Sequence, residues 1–547
     1  MLTVHRGERD AYGAASAMAR HLQQQTLPPG QDELLRVALG DRPPEARDQS
    51  AAVPRTDLDP RLAALLGVDP GRNLRHTEVV RLLAGRRADG APVPGRPALR
   101  PTRTPGGALG LDPARPPDKD ELRHLLAGRR ADGSNLAAAD TRGVKRLLGL
   151  FGIPPGHAPT PGELSCIGIG QRLDGSALSW RSASRFLFAP RLAVSYVGLC
   201  FSAHKSVSLA WAMAPIPSEA ALIVQSQRDA VAAALLQVEA EVGRARRGRG
   251  GAGGHDPGPI LWIQFHHYTA RPTPGGDGGG ENGAGQADPA GSPQLHTHVA
   301  IPNVTITADG HVGALDLQRL NGRLKEFGAL YQARVATALR ELGADVGLDP
   351  ETGAAVLLGV SAEACRAFSR RTAEGTRAAQ RYAERIGLDW DGLTADRRTA
   401  LIKNGTQGDP RSPKSDDVAD WAAWRHRADA IGWRPEPLLR PDQPVPLRNR
   451  EERIRIAHEV ASGLLRDALV RTGSLGEAET RTAAARGLVA AGIGAASDLD
   501  AVVQRIAQAG VKQEGAAVPL AWSTTVDAYG QAWGRLAVAR DIGITER

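Results

Sequence analysis

Cysteine is scarce in this chain. Three (Cys166, Cys200 and Cys365) are spread over 547 residues, an odd and widely spaced set that excludes a disulfide framework and suits a reducing compartment. Long apolar runs are missing too. No window approaches the ~18 consecutive apolar residues that a membrane span needs, and the opening "MLTVHRGERDAYG" lacks the apolar stretch of a secretory leader. The expectation is a soluble, cytoplasmic protein that does not enter a membrane. No G-x-x-x-x-G-K-[ST] phrase occurs, so the sequence carries no ATP-driven motor of the P-loop type. Nor is there an acidic excess: 68 Lys and Arg against 60 Asp and Glu give a net charge of +8. Spread over this length, that charge is only a lean toward a polyanionic partner.

What is present is enough for two to four domains, with 41% hydrophobic residues to build cores and 63 glycines and 38 prolines to interrupt them. The first third contains a repeat. "GVDPGRNLRHTEVVRLLAGRRADG" (67–90) returns as "GLDPARPPDKDELRHLLAGRRADG" (110–133), and "GIPPGHAPTPGELSCIGIGQRLDG" (152–175) is a worn third copy. Each copy predicts a turn, a short helix and a glycine stop, and three such units are able to stack as an array. From Leu192 the texture changes. "LAVSYVGLCFSAHKSVSLAWAM" predicts a buried strand, a loop and a second apolar stretch, and "SEAALIVQSQRDAVAAALLQVEAEV" has helical spacing opened by Pro217-Ser218. "PILWIQFHHYTAR" (259–271) and "QLHTHVAIPNVTI" (from 294) read as strands joined by a glycine-rich loop, hence an antiparallel ribbon. Helices follow, and the Ala-rich stretch from about 440 onward is expected to be helical. These shifts divide the chain into a repeat-bearing region 1–180, a core 181–435 and a helical region 436–547.

The histidines carry the chemistry. In "QLHTHVAIPN" His296 and His298 are two apart, so a strand points both to one face, with Leu295, Thr297, Val299 and Ile301 on the other. Across the ribbon, His266 or His267 of "HHYT" can face them. Three neutral imidazoles around one point hold a divalent metal with positions left open for a substrate, and such an ion acts on carbonyl or phosphoryl oxygens. Solvated strand histidines are the plain alternative. The run "RARRGRGG" (Arg244, Arg246, Arg247, Arg249) is the densest cluster of positive charge.

The phrases around the histidines resemble a known family. "HYTAR…SPQLHTHVAIPN", with "FSAHKSVSLAWA" upstream, is similar to the relaxase domain of conjugative mobilisation proteins, the TrwC/TraI-like (MobF) group of HUH endonucleases. "DGHVGALD", "LYQARVATALRELGADV" and "FSRRTAE" agree as well, so the resemblance covers roughly 190–435. It implies an α+β core, in which an antiparallel sheet carries the histidines between flanking helices. It implies His267, His296 and His298 as ligands of a divalent ion, with Mg2+ or Mn2+ expected, because "HYTAR" is the phrase that aligns. It also implies a tyrosine that attacks one phosphodiester of single-stranded transfer-origin DNA, leaving a 5′-phosphotyrosine and a 3′-hydroxyl. Lys205 stands where the family has a lysine suited to phosphate, and the four arginines would grip the DNA backbone. A coupling protein and a type IV secretion apparatus are the further partners implied.

The sequence departs from that family at the nucleophile. The family carries a tyrosine pair near its N-terminus, whereas Tyr12 is the sole tyrosine there. An aspartate proposed as the base precedes the "FSAPKSVS" phrase by three residues, and its place is taken by Gly198; the proline of the phrase is His204. The candidate nucleophile is therefore Tyr12. A relaxase-derived DNA-binding protein that no longer nicks is the rival reading. A metal-dependent phosphodiesterase using water is a third.

Overall fold

The computed structural model describes residues 2–8, 15–16, 18–19, 22, 52–96, 104–137, 141–153, 159–168, 171–172, 180–188, 194–248, 253–270, 291–320, 322–385, 388–393, 397–398, 401–402, 421–513, 516–518, 520–526 and 532–538. Two compact units emerge, one built from Met1–Arg96 with Ser195–Arg547, the other from Pro97–Val194.

The larger unit is organised on a five-stranded sheet. Its strands are β1 (Leu2–Glu8), β2 (Val53–Pro54), β3 (Val194–Ser202), β4 (Ile263–Thr269) and β5 (Pro293–Pro302), arranged β1-β3-β5-β4-β2. The pairs β3–β5, β4–β5 and β2–β4 are antiparallel, which confirms the α+β class. Period-two alternation is visible in β5, where Leu295, Thr297 and Val299 are buried while Gln294, His296 and His298 are half-buried. The register sets His267 opposite His296, Cys200 opposite His298, and Ser202 on the far side of His296.

Repeat phrases one and two fold alike, and each takes in a helix upstream of the stretch that is similar in sequence. In copy one, α1 (Pro60–Leu66) ends at Gly67 and α2 (His76–Leu83) follows. In copy two, α3 (Pro105–Leu109) ends at Gly110 and α4 (Lys119–Leu126) follows. In copy three, α5 (Thr141–Leu150) precedes Gly152, and α6 (Pro161–Gly168) comes next. Gly67, Gly110 and Gly152 all have φ between 66 and 75°, the left-handed turn that closes a helix and that a Cβ would strain. A glutamate at the third helical position turns back onto the chain at each second helix. Glu78 accepts from the Arg75 N–H at 2.7 Å, Glu121 from the Asp118 N–H at 2.9 Å and Glu163 from the Thr160 N–H at 2.7 Å. Arg72 and Arg115 grip Glu78 and Glu121 through paired contacts of 2.6 to 2.9 Å.

The copies do not share one core. Leu62, Leu66, Leu82 and Leu83 of copy one join Leu261, Ile263, Phe265, Tyr196 and Ala300 of the sheet, along with Ala15, Ala19 and Leu22. Copies two and three instead bury Leu109, Leu122, Leu125, Leu147, Phe151 and Ile167 together, with Trp180 and Leu187 of α7 (Trp180–Phe188). Copy one finds apolar sheet to cover; copies two and three cover each other.

The opposite face of the sheet is closed by helices. These are α8 (Lys205–Ala212), α9 (Pro217–Val242) and α10 (Leu324–Glu341). Gln227 of α9 reaches the buried Thr297 hydroxyl at 3.0 Å, Gln332 of α10 donates to the Ser202 carbonyl at 3.0 Å, and Tyr331 packs on Phe201. Farther on, α11 (Arg450–Thr472), α12 (Glu477–Ala491) and α13 (Ser497–Ala509) form a helical group. The fully buried Glu326 carboxylate ties it to the core, since it takes 2.8 Å contacts from Arg323 and from Arg481 of α12. The region from 440 onward is not purely helical: Ser474–Gly476, Leu520–Val526 and Ala532–Val538 make a three-stranded sheet. None of the described helices is long and apolar enough to cross a membrane.

Two cores make a clean prediction. Leu82→Ala and Leu125→Ala each empty a fully buried site and should each cost about 2–5 kcal/mol. Hydrogen exchange followed by mass spectrometry should place the loss of protection in the sheet-bearing unit for Leu82→Ala, and within residues 97–194 for Leu125→Ala.

Candidate metal centre

One face of the sheet changes character along its length. Ile263, Phe265, Ala300 and Tyr196 make its apolar part and are covered by copy one of the repeat. The next positions on the same face are His267, His296 and His298. Their rings form a near-equilateral cluster, with centroids 5.1 Å apart for His267–His296, 4.7 Å for His267–His298 and 5.1 Å for His296–His298, each pair edge-on. His267 is 1% exposed, whereas His296 and His298 are half-buried and leave the cluster open on one side.

Backbone carbonyls orient two of the rings. The Nδ1 of His296 lies 2.9 Å from the Gln294 carbonyl, so this nitrogen carries the proton and Nε2 carries the lone pair. The Nε2 of His267 lies 2.7 Å from the Leu22 carbonyl, so Nδ1 carries the lone pair there. A carbonyl on the non-ligating nitrogen is the arrangement that fixes the tautomer and raises the basicity of metal-bound histidines. Three imidazoles with ring centroids about 5 Å apart, two of them held in this way, are of the donor type that suits a divalent cation of the borderline class. This fit is a property of the donor set.

His266 is excluded by the pleat. It pairs with Thr297 on the other face, where its Nδ1 lies 3.0 Å from the Thr297 hydroxyl. Burial, and then the positive charge of Arg228, hold it well below the ordinary imidazole range, so it stays neutral.

The remaining candidates are placed as follows. Lys205 opens α8 and its Nζ donates to the Pro293 carbonyl at 2.7 Å, pinning the start of β5. His204 caps the same helix, its Nδ1 accepting from the Ser206 N–H at 3.1 Å. Arg244 and Arg246 lie on a short strand that pairs with His255–Pro257. Arg247 is held by Asp256 and, at 2.5 Å, by Asp309. Arg249 and Tyr12 lie outside the described residues. Of the other tyrosines, 196, 268 and 331 are buried in the core and Tyr382 is exposed on the helix Arg370–Arg385, while Tyr529 is outside the described residues. Burial pushes the Tyr331 phenol well above its usual range, which makes it a poor nucleophile.

Sequence reasoning missed two neighbours of the histidine cluster. The Leu22 carbonyl is a main-chain group and leaves no sequence signal. Cys200 leaves a weak one: in "YVGLCFS" the positions Gly198, Cys200 and Ser202 alternate with Val197, Leu199 and Phe201, and the latter three are all fully or almost fully buried. The ligand atoms of Cys200, His296 and His298 lie within 4.8 Å of one another.

An antiparallel sheet presenting three clustered histidines, with helices on its other face, defines an α+β protein with a candidate metal centre. The family profile described as TrwC relaxase matches residues 60–431. The chain belongs to the TrwC relaxase family. No curated protein matches the sequence significantly. Among solved structures, the metal-bound complex of conjugative relaxase TrwC with oriT DNA is similar at 19% identity, over 79% of this chain and 99% of that one, with a TM-score of 0.40. The metal-free complex (19%, 79% and 99%, TM-score 0.39) and a complex with a 27-mer comprising the recognition hairpin and the cleavage site (19%, 79% and 99%, TM-score 0.40) are also similar.

The alternation makes a sharp prediction. In calorimetric titration with Mn2+, His267→Ala and His296→Ala should each weaken binding at least about tenfold, whereas His266→Ala should leave it unchanged.

Proposed function

We propose that the chain is a conjugative relaxase that cuts one strand of transfer-origin DNA by transesterification. The observation that carries the proposal is the clustering of His267, His296 and His298 on one open sheet face in a member of the relaxase family. His267, His296 and His298 would hold a divalent cation, with Mg2+ and Mn2+ as the ions expected from the family resemblance, and when bound it would supply Lewis-acid stabilisation of the charge that develops on the scissile phosphate. The carbonyl contacts of His296 Nδ1 and His267 Nε2 orient the rings, so that His296 would offer Nε2 and His267 Nδ1 to the ion.

Tyr12 is the proposed nucleophile. Its hydroxyl oxygen bonds to phosphorus, the bond to the 3′-oxygen breaks, the phenolic proton passes to solvent and the 3′-oxygen takes up a proton. Leu22, ten residues further along the chain, is bonded to His267, and a ten-residue tether spans at most ~35 Å. Lys205, Arg244, Arg246, Arg247 and Arg249 are the proposed backbone contacts, giving binding that weakens with salt. The setting we propose is cytoplasmic, with a coupling protein and a type IV secretion apparatus as partners. We divide the chain functionally into 1–180, 181–435 and 436–547.

One observation favours a second reading, a DNA-binding relative that does not nick. Gly198 lies opposite Ala300 on the metal-bearing face and has no side chain to accept the phenolic proton.

The test is incubation with Mn2+ and single-stranded origin DNA, followed by denaturing electrophoresis. The expected result is a covalent adduct, reduced by roughly a thousandfold or more in Tyr12→Phe, as removal of a covalent nucleophile does elsewhere. An adduct that survives Tyr12→Phe overturns that assignment. Tight binding without an adduct supports the second reading, and free 5′-phosphate ends without an adduct mean hydrolysis by water.

A further inference from the structure

Cys200 occupies a position that the three-histidine reading does not use. It lies directly opposite His298 on β5, as His267 lies directly opposite His296 from the other side. Directly paired residues on one face of an antiparallel sheet have Cβ atoms about 4.5–5.5 Å apart, so β3 and β5 set Cys200 beside His298, one pair along from His296 and its partner His267. The Cys200 sulfur, like the ligand nitrogens of His296 and His298, lies within a 4.8 Å set. A tetrahedral centre of one sulfur and three nitrogens needs ligand atoms roughly 3.3–3.6 Å apart. Side-chain adjustment of about an ångström closes that difference for Cys200, His296 and His298, and His267 reaches them by turning about its side-chain torsions from its place opposite His296. The side chain is 8% exposed and sits 3.8 Å from the Ser202 hydroxyl, inside the cluster and away from bulk water.

We infer that Cys200 is a fourth protein ligand of the metal held by His267, His296 and His298. The inference rests on the three-histidine reading and adds the thiolate. The thiol gives its proton to solvent as the sulfur binds the ion, and no oxidation is involved. A thiolate among imidazoles changes which ion is held. Sulfur and nitrogen donors suit Zn2+ and Co2+, whereas Mg2+ prefers hard oxygen ligands and keeps its waters. The site is therefore expected to select Zn2+ or Co2+ over Mg2+, with the fifth coordination position reached only by expansion when a phosphate oxygen arrives.

The experiment uses the full chain, freed of metal by chelator dialysis and titrated with Co2+ alone. Optical spectra should show visible d–d bands of a low-coordinate ion together with a near-ultraviolet thiolate-to-cobalt charge-transfer band. In Cys200→Ser, with the fold checked by circular dichroism, the charge-transfer band should vanish while the d–d bands persist, and affinity for Zn2+ should fall at least about tenfold. X-ray absorption of the wild-type cobalt form should show one sulfur scatterer, a readout that does not depend on the variant. Visible bands with neither a charge-transfer band nor a sulfur scatterer overturn the thiolate and leave the three-histidine site standing. A charge-transfer band that survives in Cys200→Ser also overturns it. Absence of any bound cobalt in the wild-type protein overturns both readings.

Discussion

The register between β4 and β5 is the constraint on which the rest depends. Side chains alternate across a sheet with period two, so a slip of one residue would exchange His267 for His266 and send the third ligand to the helix-covered face. The register is enforced from that face. Leu295, Thr297, Val299 and Ile301 are buried there, and Thr297 is held by both Gln227 and His266. A slipped strand would drive half-buried imidazoles into that core and expose the aliphatic row to water. The hydrophobic face thus positions the metal face.

Coverage from the other side completes the site. Copy one of the repeat and the segment ending at Leu22 seal the apolar part of the metal-bearing face, which leaves the imidazoles at the boundary between core and solvent. His267 is the buried member of the cluster, fixed by a main-chain carbonyl. His296 and His298 are the half-buried ones, and they are where the proposed reading brings a phosphodiester. Lys205 anchors the start of β5 at Pro293, so the strand bearing His296 and His298 is fixed at its entry by the first residue of α8.

Much of this was legible in the sequence where a local period carries the information. The His-x-His spacing announced a shared face, and "HHYT" narrowed the third ligand to two neighbours. The helix Pro217–Val242 began where Pro217-Ser218 predicted. The repeat phrases marked the capped helices, because a glutamate three residues past the cap and a closing glycine are local signals. Long-range pairing was not legible. Cys200 meets His298 from almost a hundred residues away, and nothing in "GLCFS" names its partner. Copies one and two are identical in "LLAGRRADG", and which core each joins depends on the surface available to it. The C-terminal strands were hidden in an alanine-rich context: "LAWSTTV" carries the β-formers Trp, Thr and Val, but its partner strand "AWGRLAV" is no more β-prone than the helices before it. The proposed nucleophile, Tyr12, falls outside the described residues.

The central claim is that His267, His296 and His298 converge on one metal ion. Anomalous diffraction from crystals soaked in Mn2+ tests it most directly. The account predicts a single strong peak about 2.0–2.3 Å from one nitrogen of each of the three rings, with His296 bound through Nε2 and His267 through Nδ1. A peak elsewhere, or one that touches His266 in place of His267, would contradict it.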